Sequence, residues 1–365
     1  MKVEFYKHNI SKEDIEKVTE VLRGHFLTTG KVVEEFEEKF ANYLGCKYVV
    51  GVSSCTAALH LSLLALGIGL GDEVITTPLT FVATSNSILY TRAEPIFADI
   101  GYDDGLINTN EIAKAISLNT KAIIPVHLYG QVCDSTLRMT PNTVEDAAHA
   151  IESSKRSKED WNTTACACFS FYPTKSITSG EGGAVATNRR ELADKVKVMR
   201  NQGMTKSAAD RYGERYQHWD VETLGYNYRM TNFQAALLLG QLDRIDEYCD
   251  RRKEICRRYE ESFSGNPEIR LLKADRRSAR LMFTILVNNR DKILWKLQEE
   301  GIGVAVNYRP IHLLNYYKKM GYKEGDFPIA EEIGNKTITL PLYPKMKDEE
   351  VEYIIETVNG AVKEK

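Results

Sequence analysis

In the stretch FSFYPTKSITSGEGG, residues 169–183, a single lysine stands between an apolar run and a glycine-rich turn. A lysine amine becomes a nucleophile where its surroundings disfavour the charged form, and it can then bond an aldehyde. Lys175 is placed for that role, although a lone strand-end lysine is more often a solvated surface charge. Upstream, VEDAAHA (144–150) ends an apolar step with two carboxylates followed by small residues. A pyridine-type cofactor bonded to a lysine needs an acid at its ring nitrogen, and a strand-end aspartate supplies one. Asp146 is that candidate; its plain alternative is a helix N-cap.

A phosphorylated cofactor also needs an anion site, which the free N–H groups of a helix start provide. The residues SSCTAA (53–58) end the apolar run YVVGV and open the helical pattern AALHLSLLALG. Thr56 and the Ala57 amide are the candidate phosphate contacts, and the Ser170 hydroxyl is a third donor; simple capping by Ser54 or Thr56 is the alternative. Phe81, in TPLTFVAT, could lie flat on a cofactor ring or serve as core.

The elements that must position these residues follow from hydrophobic patterning. Between residues 47 and 188 the runs YVVGV, DEVITTP, PIFADI, KAIIPVHL and ACFSFY alternate with helical segments. These runs are apolar throughout, so both faces should be covered, as in a mostly parallel sheet wrapped by helices. SKED (11–14) opens a short helix with a capping box, and Gly24 closes it. A long helical pattern runs from Asn232 to about Phe263 and reads as a connector between domains. LMFTILVNN, a helix over 291–300, GVAVNY, TITLPLY and a last helix from Asp348 read as a smaller α/β domain. The expected division is an N-terminal arm and large domain over 1–245 and a small domain over 246–365.

A chain of 365 residues with 43% hydrophobic content can bury a sizeable core. Its net charge of −3 comes without a basic block, so neither nucleic acid nor an anionic membrane is an expected partner. The seven cysteines lack Cys-x-x-Cys spacing and read as reduced thiols, with no metal site expected. With no apolar leader and no run of about 20 apolar residues, the expected location is the cytoplasm.

SCTAAL, PLTFVAT, EDAAHA and FSFYPTKSITSGEGGAVATN follow one another in an order that resembles the pyridoxal-phosphate-dependent sugar aminotransferases of the DegT/DnrJ/EryC1/StrS family. The resemblance extends through LTTGKVVEEFEEKFANYLG, RNQGMT, ETLGYNYRMTNFQAALLLGQL and VNYRPIHLLNYY, nearly the whole chain. It implies an aspartate aminotransferase-like, type I pyridoxal phosphate fold. It implies further that Lys175 bonds the cofactor, Asp146 partners the pyridine nitrogen, His149 lies by the ring oxygen, and Phe81 stacks. Thr56, Ala57 and Ser170 become phosphate contacts, and Asn227 the residue that reaches the phosphate in a neighbouring subunit, hence a homodimer with shared active sites. Tyr6, Tyr308, Arg309 and His312 are implied substrate-pocket candidates.

Two departures stand out. The segment between Gln131 and Glu145 is shorter than is usual in the family, and Cys55 replaces a common glycine, which is tolerable only where φ is not positive. The activity implied is transfer of an amino group from an amino acid, L-glutamate by resemblance, to a nucleotide-linked keto-sugar. LTTGK and TPLTFVAT look most like members that act at C4 of a UDP-linked 4-keto-6-deoxy hexose; attack at C3 or a dTDP- or GDP-sugar is the alternative. A sugar dehydratase would carry histidine in place of Lys175. A DNA-binding regulator would need a basic module, and a dinucleotide oxidoreductase a Gly-x-Gly-x-x-Gly turn after its first strand.

Overall fold

A computed structural model describes residues 1–139, 142–206 and 218–363. Among these residues ten strands form: β1 Tyr48–Val52, β2 Glu73–Thr76, β3 Glu94–Phe97, β4 Thr120–Ile124, β5 Val144–Asp146, β6 Cys166–Ser170, β7 Gly183–Thr187, β8 Ile269–Leu271, β9 Phe283–Val287 and β10 Thr337–Leu340. β2 pairs in parallel with β3 and β4, and β5 in parallel with β6. β7 runs antiparallel to both β6 and β1. Single parallel bridges, Ile123 to Thr143 and Val126 to Asp146, join the two ribbons beside β4 and β5. The resulting order is β3-β2-β4-β5-β6-β7-β1, with β7 alone reversed.

That arrangement decides where chemistry can sit. The parallel strands point the same way, so their carboxyl ends share one edge, where α/β sheets bind ligands. Asp146 ends β5, Ser170 ends β6, and Ser53 follows β1.

Helices cover both faces, as the all-apolar strands require. One core packs the helix Cys55–Ala65 against the sheet through Leu59, Leu63, Val50, Cys166 and Val185. The other buries Phe36, Phe40, Trp161, Phe169 and Phe171 beneath the helices Lys31–Leu44 and Asn232–Asp243. Phe40 meets Phe169 edge-on at 5.2 Å, a favoured aromatic geometry. A third core joins the antiparallel sheet β10-β9-β8 to the helices Ile245–Phe263, Arg290–Glu299 and Asp348–Lys363, and it includes Val3 from the N-terminal arm.

Several expectations are met in detail. Ser11 and Asp14 form a reciprocal capping box on the helix Lys12–Arg23, and Gly24 ends it. Others are corrected. The pattern 232–263 is two helices, separated at Arg244 (φ −107°, ψ 3°), whose guanidinium turns to Asp14 Oδ2 at 2.7 Å. GVAVNY is not a strand: the Gly303 N–H donates to the Val3 carbonyl at 2.8 Å and Ala305 bridges to Thr339, while Val306, Asn307 and Tyr308 turn toward the edge of the large sheet. The segment before Glu145 contains a 3₁₀ turn over Ser135–Met139; Thr140 and Pro141 lie outside the described residues. Its brevity leaves β5 in register, with Asp146 opposite Cys168. No described helix is long and apolar enough to cross a membrane.

Candidate active site

A cavity of about 610 Å³ opens at the carboxyl edge of the sheet, and its wall includes Thr56, Phe81, Asp146, His149, Ser170 and Lys175. Lys175 leaves β6 through a tight turn in which its N–H donates to the Tyr172 carbonyl at 2.9 Å. Among the described residues its amine has no hydrogen-bond or ion-pair partner. Burial pushes its pKa down to about 8, against the weaker opposing pull of Cys55 and Asp146. An unpaired amine that readily gives up its proton in an enclosed pocket is what attack on an aldehyde requires. Bond formation between Lys175 and pyridoxal phosphate should therefore quicken about tenfold per pH unit up to about pH 8 and then level off, because only the neutral amine attacks. Stopped-flow absorbance checks this; a flat profile between pH 6 and 8 would remove the argument.

Asp146 faces the same cavity. Its Oδ2 accepts from the Thr84 hydroxyl at 2.8 Å and its Oδ1 from the Ala148 N–H at 3.1 Å. Thr84 Oγ1 also lies 3.2 Å from Thr80 Oγ1, so two hydroxyls in series fix the carboxylate. Burial raises the pKa of Asp146 more than these bonds lower it. A cation placed opposite would reverse that balance, which is the setting a protonated pyridine nitrogen provides.

His149 Nδ1 accepts the Tyr129 N–H at 3.3 Å, and its Nε2 lies 3.2 Å from the Tyr308 hydroxyl. Burial holds His149 well below the usual histidine range, so its ring is neutral. With Nδ1 accepting, the ring proton sits on Nε2 and is donated to Tyr308. Phe81 stays 58% exposed inside the pocket mouth, with its ring centroid 6.2 Å from that of Tyr308. An aromatic face left open there suits a stacked ring.

The candidate phosphate end is the start of the helix Cys55–Ala65. Ser54 caps it, and its Oγ accepts the Ala57 N–H at 3.1 Å. The Ala57 N–H is thus engaged in the cap and its side chain is buried. The Cys55 and Thr56 N–H groups, the Thr56 hydroxyl and Ser170 remain. The Ser170 Oγ accepts from the Tyr172 N–H at 3.4 Å, which leaves its own proton to donate. Cys55 does not have a positive φ, so the usual glycine is dispensable. The glycine that matters is across the turn at Gly183, where a Cβ would sit inside Ser54 and 2.6 Å from the Cys55 nitrogen. Gly183→Ala should push the helix start away, costing about 1–3 kcal/mol of stability and about tenfold in cofactor affinity. Thermal melting and a cofactor titration measure both; an unchanged affinity would place the phosphate elsewhere.

These features fit a phosphorylated pyridine aldehyde: an unpaired amine, a buried carboxylate, an open aromatic face and a helix start with free donors.

The remaining sequence candidates are scattered. Tyr308 lines the cavity, but Arg309 is exposed and donates to the Leu313 carbonyl at 3.4 Å. Tyr6 is 41% exposed and borders a smaller recess behind Lys175. His312 does not reach the site: it is fully buried, pairs with Glu331 Oε1 at 2.8 Å and packs edge-on to Phe327. Asn227 is exposed and off the cavity wall, beside the stacked Tyr226 and Tyr228. Sequence reasoning passed over Thr84 and Tyr129. Thr84 was detectable, since it stands one helical turn after Phe81; Tyr129 was not, because its role rests on a backbone N–H.

Known proteins similar to this chain are aminotransferases and a polysaccharide biosynthesis protein. A model of the DegT/DnrJ/EryC1/StrS aminotransferase family matches residues 8–359. The spore coat polysaccharide biosynthesis protein SpsC of Bacillus subtilis is 41% identical over 371 aligned residues, spanning 97% of this chain and 95% of its own. The Streptococcus pneumoniae protein Spr1654 in its PMP form superposes with a TM-score of 0.92 at 31% identity, over 99% of each chain; its PLP form gives 0.90. Helicobacter pylori PseC, an aminotransferase of pseudoaminic acid biosynthesis, gives a TM-score of 0.89 at 29% identity over the full length of both chains.

Proposed function

Since the chain belongs to the DegT/DnrJ/EryC1/StrS aminotransferase family, we propose that it moves an amino group from L-glutamate to a nucleotide-linked keto-sugar, at C4 of a UDP-4-keto-6-deoxy hexose. Its cofactor is pyridoxal phosphate, as in its structural relatives. The observation that carries the reading is the unpaired, easily deprotonated Lys175 facing the buried Asp146 across one cavity. SpsC in polysaccharide biosynthesis and PseC in pseudoaminic acid biosynthesis support a sugar acceptor.

Bound pyridoxal phosphate supplies an aldehyde carbon and an electron-withdrawing ring. The chain does the rest. Lys175 would hold the cofactor, and its amine, once free, would take the donor's α-proton and deliver it to the former aldehyde carbon on the far side of the nitrogen. Asp146, held by Thr84 and Ala148, keeps the ring nitrogen protonated. The neutral His149 fixes Tyr308 on the cavity wall. Thr56 and Ser170 anchor the phosphate, and Phe81 covers one ring face. The exposed Asn227 reaches the phosphate of a second copy, which makes the active form a homodimer. Arg309 and Tyr6, both exposed, offer contacts for the nucleotide diphosphate.

The test is an absorbance titration. The protein should turn yellow with pyridoxal phosphate and convert it to pyridoxamine phosphate when L-glutamate alone is added. UDP-, dTDP- and GDP-linked keto-sugars are then screened for the return reaction. Failure to take up the cofactor would sink the whole reading; indifference to L-glutamate would sink the donor only.

A further inference from the structure

We propose that Arg252, in the helix Ile245–Phe263, is a positioning residue that sets Lys175 and His149 together from behind the pocket. Arg252 is 2% exposed, deeper than almost any other charged side chain of the described residues. Its guanidinium pairs with Glu152 and donates to the Ser176 hydroxyl at 3.3 Å. It also donates to the carbonyls of Ala279 at 3.2 Å and Arg280 at 3.2 Å, just ahead of β9. Ser176 in turn donates to Glu152 Oε2 at 2.9 Å. The three side chains therefore close a ring of charge-assisted bonds in which every member touches both others.

The sequence positions give the ring its meaning. Ser176 is the residue after Lys175, and Glu152 stands one turn after His149. The neighbouring Ser153 reinforces the second link: its hydroxyl donates to the Gly130 carbonyl and accepts the Ala279 N–H, both at 2.6 Å. The turn that carries the lysine and the turn that carries the histidine are thus fastened to one cation, and that cation belongs to the helix that opens the C-terminal core. An arginine suits this place because its planar fork serves several acceptors at once, which a lysine cannot do. Buried charge is not needed for stability here, since a neutral pair of similar shape usually serves as well. The arrangement makes sense as a device for holding two loops at fixed relative height.

The inference rests on Lys175 being the cofactor lysine, but part of its test does not. Hydrogen exchange followed by mass spectrometry is measured on the full chain, with and without pyridoxal phosphate. The variants are Ser176→Ala, Arg252→Lys, and the double change Arg252→Met with Glu152→Gln, which leaves no unpaired buried charge. In the cofactor-free chain the amides of residues 172–179 should exchange about tenfold faster in Ser176→Ala and in the double variant. With Arg252→Lys the effect should be intermediate, because one ion pair survives. The dissociation constant for pyridoxal phosphate should rise about tenfold in the same order. Unchanged exchange at 172–179, with loosening confined to the helix 245–263, would overturn the proposal and make the ring merely structural. Faster exchange with cofactor affinity intact would overturn it too. A wild-type chain that takes up no cofactor sinks the aminotransferase reading, while the exchange comparison still decides whether Arg252 holds the turn.

Discussion

Lys175→Ala is expected to lower turnover by more than about 10⁴-fold, since in the proposed mechanism it removes both the covalent anchor and the group that moves the α-proton. The yellow absorbance of the lysine-bound cofactor should vanish with it. Stability should move the other way. The folded pKa of Lys175, about 8, lies below its value in an unfolded chain, so holding the protonated amine costs the folded state something at all pH values below 8. That cost shrinks as pH rises from about 8 to about 10.5 and is gone above it. The cofactor-free variant should therefore be more stable than the parent at pH 7, by on the order of 1–3 kcal/mol, and equal to it in strong alkali. Melting curves at two pH values, beside steady-state rates, read both effects. A variant that keeps activity within tenfold of the parent would exclude Lys175 from the chemistry. Lost activity with a lowered melting temperature would mean that the lysine had been a structural group.

Lys175 could be found in sequence because its oddity is local: a charge between an apolar strand and glycines. The large sheet was legible for the same kind of reason, since strands buried on both faces are written as continuous apolar runs. What escaped was set by distant partners. The reversal of β7 depends on pairing with β1, more than 130 residues away, where Tyr48 faces Thr187. The break at Arg244 has no proline or glycine to announce it; a guanidinium drawn to Asp14 makes it. GVAVNY has strand composition but no neighbour on most of its length, so composition misled. His312 carried the polarity of a pocket residue, and Glu331, 19 positions on, gave it a buried partner instead.

Asp146→Asn should cost about 10²–10³-fold in turnover, the usual loss when one preorganised electrostatic group is removed from a reacting centre. The substitution keeps the size and much of the hydrogen bonding. The side-chain carbonyl can still accept from Thr84 or from Ala148, but the amide group faces the other donor and cannot hold a proton on a pyridine nitrogen. The effect should fall on the half-reaction with the amino acid alone, before any sugar is present. Folding again separates a chemical role from a structural one. Burial raises the pKa of Asp146, so the folded chain binds its proton more tightly than the unfolded chain does, and stability drains away as pH rises through that range. Asparagine carries no such penalty, and the cofactor-free variant should melt at or above the parent temperature at neutral pH. Thr84→Val, which leaves the carboxylate charged but less firmly held, should lose activity by about tenfold. If Asp146→Asn slowed the glutamate half-reaction by less than Thr84→Val does, the carboxylate would not face the ring nitrogen. The cofactor would then have to be turned in the pocket, with His149 rather than Asp146 beside its nitrogen.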